Sequence, residues 1–316
     1  MSFYKFLLKR LLYLIPTVFL VTLLVFSIMH LVPGDPVDYM LSVDQNQEMR
    51  TMLIKQYGFD QPLYVQYFRW MSHVVQGDLG KSILQARSVS ILVKNALPRT
   101  IYLALAAMIF AMVVSLPLGI ISAVKRKTWV DYLSQVGAML GMSIPTFWLG
   151  LLVMFYFGLI LRWFPTVGYV PPSENFLKFL HHLCMPAVTL GIEMVAVMTR
   201  LTRSTMLEEL NKDYVQTHRS QGLPERDIIG RYTLKNAMIP TLTIASIRLG
   251  ALLGGTVVIE TVFAWPGIGM LVLEGINTRD YPVVQGGVLM LSFSFILINL
   301  IVDIMYKWLD PRIKLE

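Results

Sequence analysis

Long apolar runs separated by shorter polar stretches set the pattern of this chain. A helix needs about 20 apolar residues to cross a hydrocarbon core about 30 Å thick. Six segments reach that length, at roughly 10–32, 99–123, 133–161, 185–206, 241–263 and 283–306. The fourth is the least apolar, because it carries Glu193 and Arg200. Pro117, Pro145 and Pro186 do not disqualify their helices, since membrane helices tolerate proline where neighbours satisfy the freed carbonyls. The predicted fold class is therefore an all-α membrane protein with six transmembrane helices. Between the first two spans, residues 33–98 form a polar excursion opened by the turn signal Pro33-Gly34-Asp35-Pro36. Met49–Tyr57, Leu63–Val75 and Val89–Ala96 have the spacing of short amphipathic helices.

Composition agrees with the pattern. Of 316 residues, 55% are hydrophobic and only 15% charged, with a mean hydropathy of +0.59, which makes lipid the main solvent. The first apolar run ends Ile28-Met29-His30 rather than in small residues, as expected of an uncleaved span and not of a secretory signal. A net charge of +7 raises nucleic acid as a partner, but the Lys and Arg residues lie between apolar runs rather than on one solvated face. Their positions instead predict orientation. Lys5, Lys9 and Arg10, then Lys125, Arg126 and Lys127, then the basic residues from Arg200 to Lys235, then Lys307, Arg312 and Lys314 all fall on one side. By the positive-inside rule that side is the cytoplasm, so both termini are expected there, with the chain in a bacterial inner membrane. Residues 33–98 are then extracytoplasmic. The single Cys184 excludes an intrachain disulfide framework.

The polar stretch at about 204–240, between spans four and five, is too regular for a slack connector. Gly222 suits a helix C-terminus, where a left-handed residue costs least without a Cβ, and Pro224 prevents continuation. Glu225 and Asp227 then occupy the first turn of a second helix, with Lys235 near its end, as the helix dipole favours. Helix, sharp glycine turn, helix on the cytoplasmic side predicts a docking surface.

This stretch resembles the "EAA" loop of ABC importer permeases, whose pattern is EAA, three residues, Gly, nine residues, Ile-x-Leu-Pro. Here the glycine is Gly222, Gln216-Thr217-His218 occupy the EAA positions, and Lys235 stands where proline is usual. Those departures resemble the peptide and nickel branch, as does Leu234-Lys235-Asn236-Ala237-Met238-Ile239-Pro240. Further blocks similar to that branch follow in order: PGDP (33–36), YGFDQPLYVQY (57–67), GDLGKS (77–82), TRSTML (202–207), ETVFAWPGIG (260–269), RDYPVVQ (279–285) and LDPRI (309–313).

The resemblance implies a type I ABC importer permease fold, with a first helix and extracytoplasmic segment over 1–95 and a five-helix core over 96–310. It implies import of di- or oligopeptides, or alternatively of nickel. Asp213, Gln216, Thr217, His218, Gly222, Leu223, Pro224 and Glu225 would couple the chain to an ATPase. The implied partners are two ATPase subunits holding ATP and Mg, a homologous second permease subunit, and an extracytoplasmic solute-binding protein. No cofactor is expected on this chain.

Gly80-Lys81-Ser82 imitates the end of a phosphate-binding loop, but Val75 occupies the position of the required earlier glycine. His181, His182 and Cys184 could offer soft metal ligands, although adjacent histidines do not easily face one ion. Glu193 and Arg248 are ionisable groups inside spans, at levels differing by ~7 Å. They are expected to pair, or to face a shared translocation path. Gly250, Ala251, Gly254 and Gly255 place small residues on span five, a pattern of close helix contact. The spans hold no Ser–His pair or matched carboxylates, so an intramembrane enzyme is disfavoured. An ion-driven secondary transporter stays open as the competing class, although it would have no use for a cytoplasmic docking loop.

Overall fold

The computed structural model describes residues 3–31 and 47–309. The turn predicted at Pro33–Pro36 and the LDPRI motif beyond Leu309 lie outside the described residues. Among the described residues the chain is helical nearly throughout, and β pairing is confined to an isolated bridge between Lys81 and Ser88. In chain order the helices are α1 (Phe3–Leu31), α2 (Gln47–Tyr57), α3 (Leu63–Val75) and α4 (Val89–Val124). Next come α5 (Trp129–Ser143), α6 (Thr146–Ile160), α7 (Phe176–Leu210) and α8 (Asp213–Ser220). The series ends with α9 (Glu225–Val262), α10 (Ile268–Asn277) and α11 (Tyr281–Leu309).

The third predicted span falls across α5 and α6, and each of the others falls on a single helix. Helices α4, α7 and α9 and the described part of α11 are long and apolar enough to cross a membrane, and α5 with α6 passes the same test as a bent pair. Helix α1 has 29 residues, with an apolar stretch over Ile15–Ser27. Three boundaries differ from expectation. The short helix predicted at Val89–Ala96 is the first part of α4, because nothing between Ala96 and Arg99 except Pro98 interrupts the helical pattern. The second helix of the polar loop is not separate from span five. Its residues run into α9 through a π-helical stretch at Ile228–Thr233, with Pro240 accommodated inside the helix.

The third difference is the largest. Span three is not one straight helix: α5 and α6 meet at an angle of 104°. Pro145 cannot donate the hydrogen bond that would continue α5, and its ring forces the residue before it out of the helical region. Ile144 accordingly has φ −83° and ψ 124°. Helix α6 then starts at Thr146 and loosens to π geometry at Met154–Ile160.

The described residues form two compact units. One comprises residues up to Thr100 together with Pro266–Leu297. Its apolar centre includes Leu79, Val89, Val93, Ile268 and Val283. Helix α10 is unannounced by sequence pattern, and its first N–H is capped from a distance: Ile268 N donates to Thr100 Oγ1 at 2.8 Å. In the same unit Ser82 Oγ donates to Asp280 Oδ2 at 2.5 Å, so the hydroxyl of the apparent phosphate-loop motif is spent on a buried carboxylate.

The second unit comprises Ile101–Trp265 with the end of α11. Its core gathers Leu103, Ala107, Phe179, Leu190 and Ile259 around the fully buried Trp265, whose ring meets Tyr169 edge-on at 4.9 Å. Helices α4 and α7 approach backbone to backbone here. A Cβ on Gly119 would lie 2.6 Å from Thr202 Cβ and 2.9 Å from the Thr199 carbonyl oxygen. Of the small residues on span five, Gly250 is buried, whereas a Cβ on Gly254 would meet open space and one on Gly255 would come only within 3.8 Å of Leu190.

Candidate functional site

The polar loop is built as a rigid turn. Helix α8 ends at Ser220, Gln221 closes it, and Gly222 takes the left-handed conformation with φ +78°. Two backbone bonds define the stop: Gly222 N donates to Arg219 O at 3.0 Å and Leu223 N to His218 O at 3.2 Å. That is the Schellman arrangement, which satisfies carbonyls that a helix end would leave bare. Pro224 then enters in extended geometry, and Asp227 N and Ile228 N both donate to its carbonyl to start α9.

Side chains hold the turn from both directions. Arg219 Nε donates to Glu225 Oε1 at 2.6 Å, and Arg219 Nη2 to Glu225 Oε2 at 3.3 Å, bridging the end of α8 and the start of α9. The His218 ring lies over Tyr232 with centroids 4.3 Å apart. Tyr214 OH donates to Glu209 Oε2 at 2.9 Å, and burial pushes that phenol above its ordinary pKa. Lys212 Nζ bonds Glu209 as well. Val215 and Ile228 are fully buried beneath the turn.

The predicted coupling residues therefore divide by role. Asp213, Gln216, Thr217, Gly222, Pro224 and Glu225 are exposed on one continuous turn, whereas His218 and Leu223 are half-buried. Sequence reasoning missed Arg219, Tyr232 and the buried Val215 and Ile228, which give the turn its shape. A signal for Arg219–Glu225 existed, since opposite charges flank the Gly222-Leu223-Pro224 stop.

Glu193 on α7 and Arg248 on α9 line a single cavity of about 110 Å³ with Thr146, Leu190, Met194 and Leu252. They do not form the direct pair that was one expectation: no carboxylate oxygen of Glu193 lies within 4.0 Å of an Arg248 nitrogen. The other expectation was a shared translocation path; in the structure both side chains line this one cavity. His181 and His182 each engage a backbone carbonyl through one ring nitrogen. His181 Nε2 lies 2.6 Å from the Trp163 carbonyl oxygen, and His182 Nδ1 lies 2.8 Å from that of Lys178.

The family model described as "Binding-protein-dependent transport system inner membrane component" matches residues 115–315, and its N-terminal companion, "Binding-prot-dependent transport system membrane comp, N-term", matches residues 3–104. The chain belongs to this family. This permease is 41% identical over 310 residues to the glutathione transport system permease protein GsiC of Salmonella paratyphi A, covering 98% of this chain and 99% of that protein. It is 40% identical, with the same coverage, to the GsiC protein of Escherichia coli K12. Among solved structures it is similar to inward-facing forms of the MetNI methionine ABC transporter. The TM-scores are 0.55 and 0.59 at 17% and 18% identity, over 69% of this chain and 96% of the other. That similarity establishes the type I ABC permease fold. The permease is thus the membrane subunit of an ABC importer and not an enzyme, ATP hydrolysis being carried by separate subunits in this family.

Proposed function

We propose that this permease forms part of the translocation path for di- or oligopeptides, delivered by an extracytoplasmic binding protein and driven by two ATPase subunits that hold ATP and Mg. The observation that carries the coupling role is the Gly222 turn. It presents Gln216, Thr217, Pro224 and Glu225 outward on a frame seated on the buried Val215 and Ile228 and bridged at its surface by Arg219–Glu225. A frame of that kind can transmit force from a partner's groove into α9, because the turn leads without a break into a span-length helix.

A peptide substrate is supported by the relatives named as glutathione transport permeases, since glutathione is itself a small peptide. Both termini and the Gly222 turn lie on the cytoplasmic side in this reading, as the distribution of Lys and Arg supports. A second, related permease completes the path. In this reading residues 1–95 supply a first helix with its extracytoplasmic segment, and 96–310 the core.

Replacement of the exposed Gln221 by Cys, in a Cys184→Ser background, tests the docking role in the intact importer. Crosslinking from that position is expected to capture the ATPase from the cytoplasmic face, and deletion of the ATPase to abolish uptake. Labelling of the position only from outside, or uptake that survives the deletion, would refute the assignment. The ligand held by the cognate binding protein identifies the peptide class.

A further inference from the structure

Two full charges of opposite sign stand in one cavity, on two span-length helices, and neither has found the other. Glu193 and Arg248 are both exposed, and neither makes a hydrogen bond or ion pair with another described residue. Apart from Thr146, the rest of the lining, including Leu190, Met194, Val197 and Leu252, is apolar and carries no charge to compensate them. An ionised side chain facing lipid at this depth is strongly disfavoured, so this wall faces water or a polar occupant. The cavity has room for several waters or for a small polar group.

We propose that Glu193 and Arg248 form a transit site for the two ends of a zwitterionic solute, the carboxylate of Glu193 taking its ammonium group and the guanidinium of Arg248 its carboxylate. The inference rests on the peptide-path reading above and narrows it to peptides with free termini. Charge pattern selects this class over the alternatives. A metal cation drawn to Glu193 meets the repulsion of Arg248, and a simple anion drawn to Arg248 meets that of Glu193. Only a solute carrying both signs satisfies both groups at once. The guanidinium adds a planar fork suited to a carboxylate. The separation of the two groups also keeps the site open, since a direct ion pair would compete with the solute for both partners.

The test uses the complete importer in proteoliposomes: binding protein, both permeases and both ATPase subunits. Uptake of an unblocked dipeptide, its N-acetyl form and its C-amide form is measured for wild type, Glu193→Gln and Arg248→Gln. Comparing each variant with wild type cancels the binding protein's own preference. Glu193→Gln should cut uptake of the unblocked peptide about tenfold, the scale of one lost charge contact, while leaving the acetylated peptide little changed. Arg248→Gln should do the same with respect to the amidated peptide. The double exchange Glu193→Arg with Arg248→Glu should recover part of what each single reversal loses, because the solute can enter turned end for end.

Equal loss for all three solutes would overturn the proposal. So would loss of the second permease from the purified complex, because the two charges would then be serving a subunit contact. Failure of the wild-type importer to take up any of the three would instead defeat the peptide-path reading on which the inference rests.

Discussion

Arg203 on α7 grips Asp131 on α5 through two parallel bonds, Nε to Oδ1 at 2.6 Å and Nη2 to Oδ2 at 2.8 Å. Ser122 Oγ on α4 donates to the same carboxylate at 2.6 Å and the Lys127 backbone N–H at 3.0 Å, while Gln135 Nε2 reaches it at 3.1 Å. One buried carboxylate thus joins three helices and the basic turn between α4 and α5. With five donors around it, the cost of burying the charge is offset in a way that an isolated pair would not achieve.

Removing that centre should be severe. Asp131→Ala leaves Arg203 without a partner and strips acceptors from Ser122 and Lys127. Breaking a buried pair in this way costs about 3–5 kcal/mol. The expected result is a marked drop in the thermal unfolding midpoint of the purified complex. Arg203→Lys should lie between, keeping the charge but losing the fork. A midpoint unchanged in Asp131→Ala would show that the network carries little stability.

The close contact of α4 with α7 predicts a second sensitive position. Gly119→Ala puts a methyl group 2.9 Å from a backbone carbonyl oxygen, which cannot rotate away as a side chain would. The helices must part by some tenths of an ångström, at about 1–3 kcal/mol. Thermal unfolding of Gly119→Ala beside Gly137→Ala separates this effect from general glycine replacement, because nothing lies within 4 Å of a Cβ at Gly137. Equal midpoints for the two variants would contradict the close approach.

Within the polar loop, Gly222→Ala should fail for a different reason. Nothing lies within 4 Å of a Cβ there, so the penalty comes from φ +78° and amounts to about 1 kcal/mol. Gly222→Asn should be milder, as asparagine tolerates that conformation better. Gly230→Ala, also free of neighbours but without the left-handed backbone, should be close to neutral. Transport rate and ATPase capture measured across the three variants check the order, and Gly230→Ala as damaging as Gly222→Ala would contradict it.

Salt should expose the modest worth of the Arg219–Glu225 bridge. Both side chains are about half exposed, so the pair contributes at most about 0.5 kcal/mol at physiological ionic strength and less in high salt. Arg219→Ala is expected to reduce crosslinking yield slightly at low salt and not at high salt. Exchange of the two charges should restore the low-salt value. A deficit that persists unchanged in high salt would mean that Arg219 acts through packing.

The helix–turn–helix around Gly222 was legible because its signals are local: a glycine and a proline two residues apart fix backbone geometry whatever surrounds them. The long apolar helices were legible for the same reason, since apolar length is read directly along the chain. Pro145 was visible too, but not its effect. A proline inside an apolar run permits either a kinked helix or a break, and the choice depends on what packs against each half. Helix α10 escaped notice because a ten-residue helix is too short to span, and its cap comes from Thr100, far away in sequence. Arg203 counted only among the basic residues that predict orientation, and Asp131 carries no local signal of its partners.

By itself, then, the chain's sequence determined where the long apolar helices lie, where the polar loop bends and which family the protein resembles. Each of these depends on residues near one another along the chain. Only the tertiary structure decided that Asp131 is caged by five donors, that α4 and α7 touch at Gly119, and that Glu193 and Arg248 share a cavity without pairing. Those relationships join residues up to 83 positions apart. Their geometry is set by how helices pack, a property that no single segment carries.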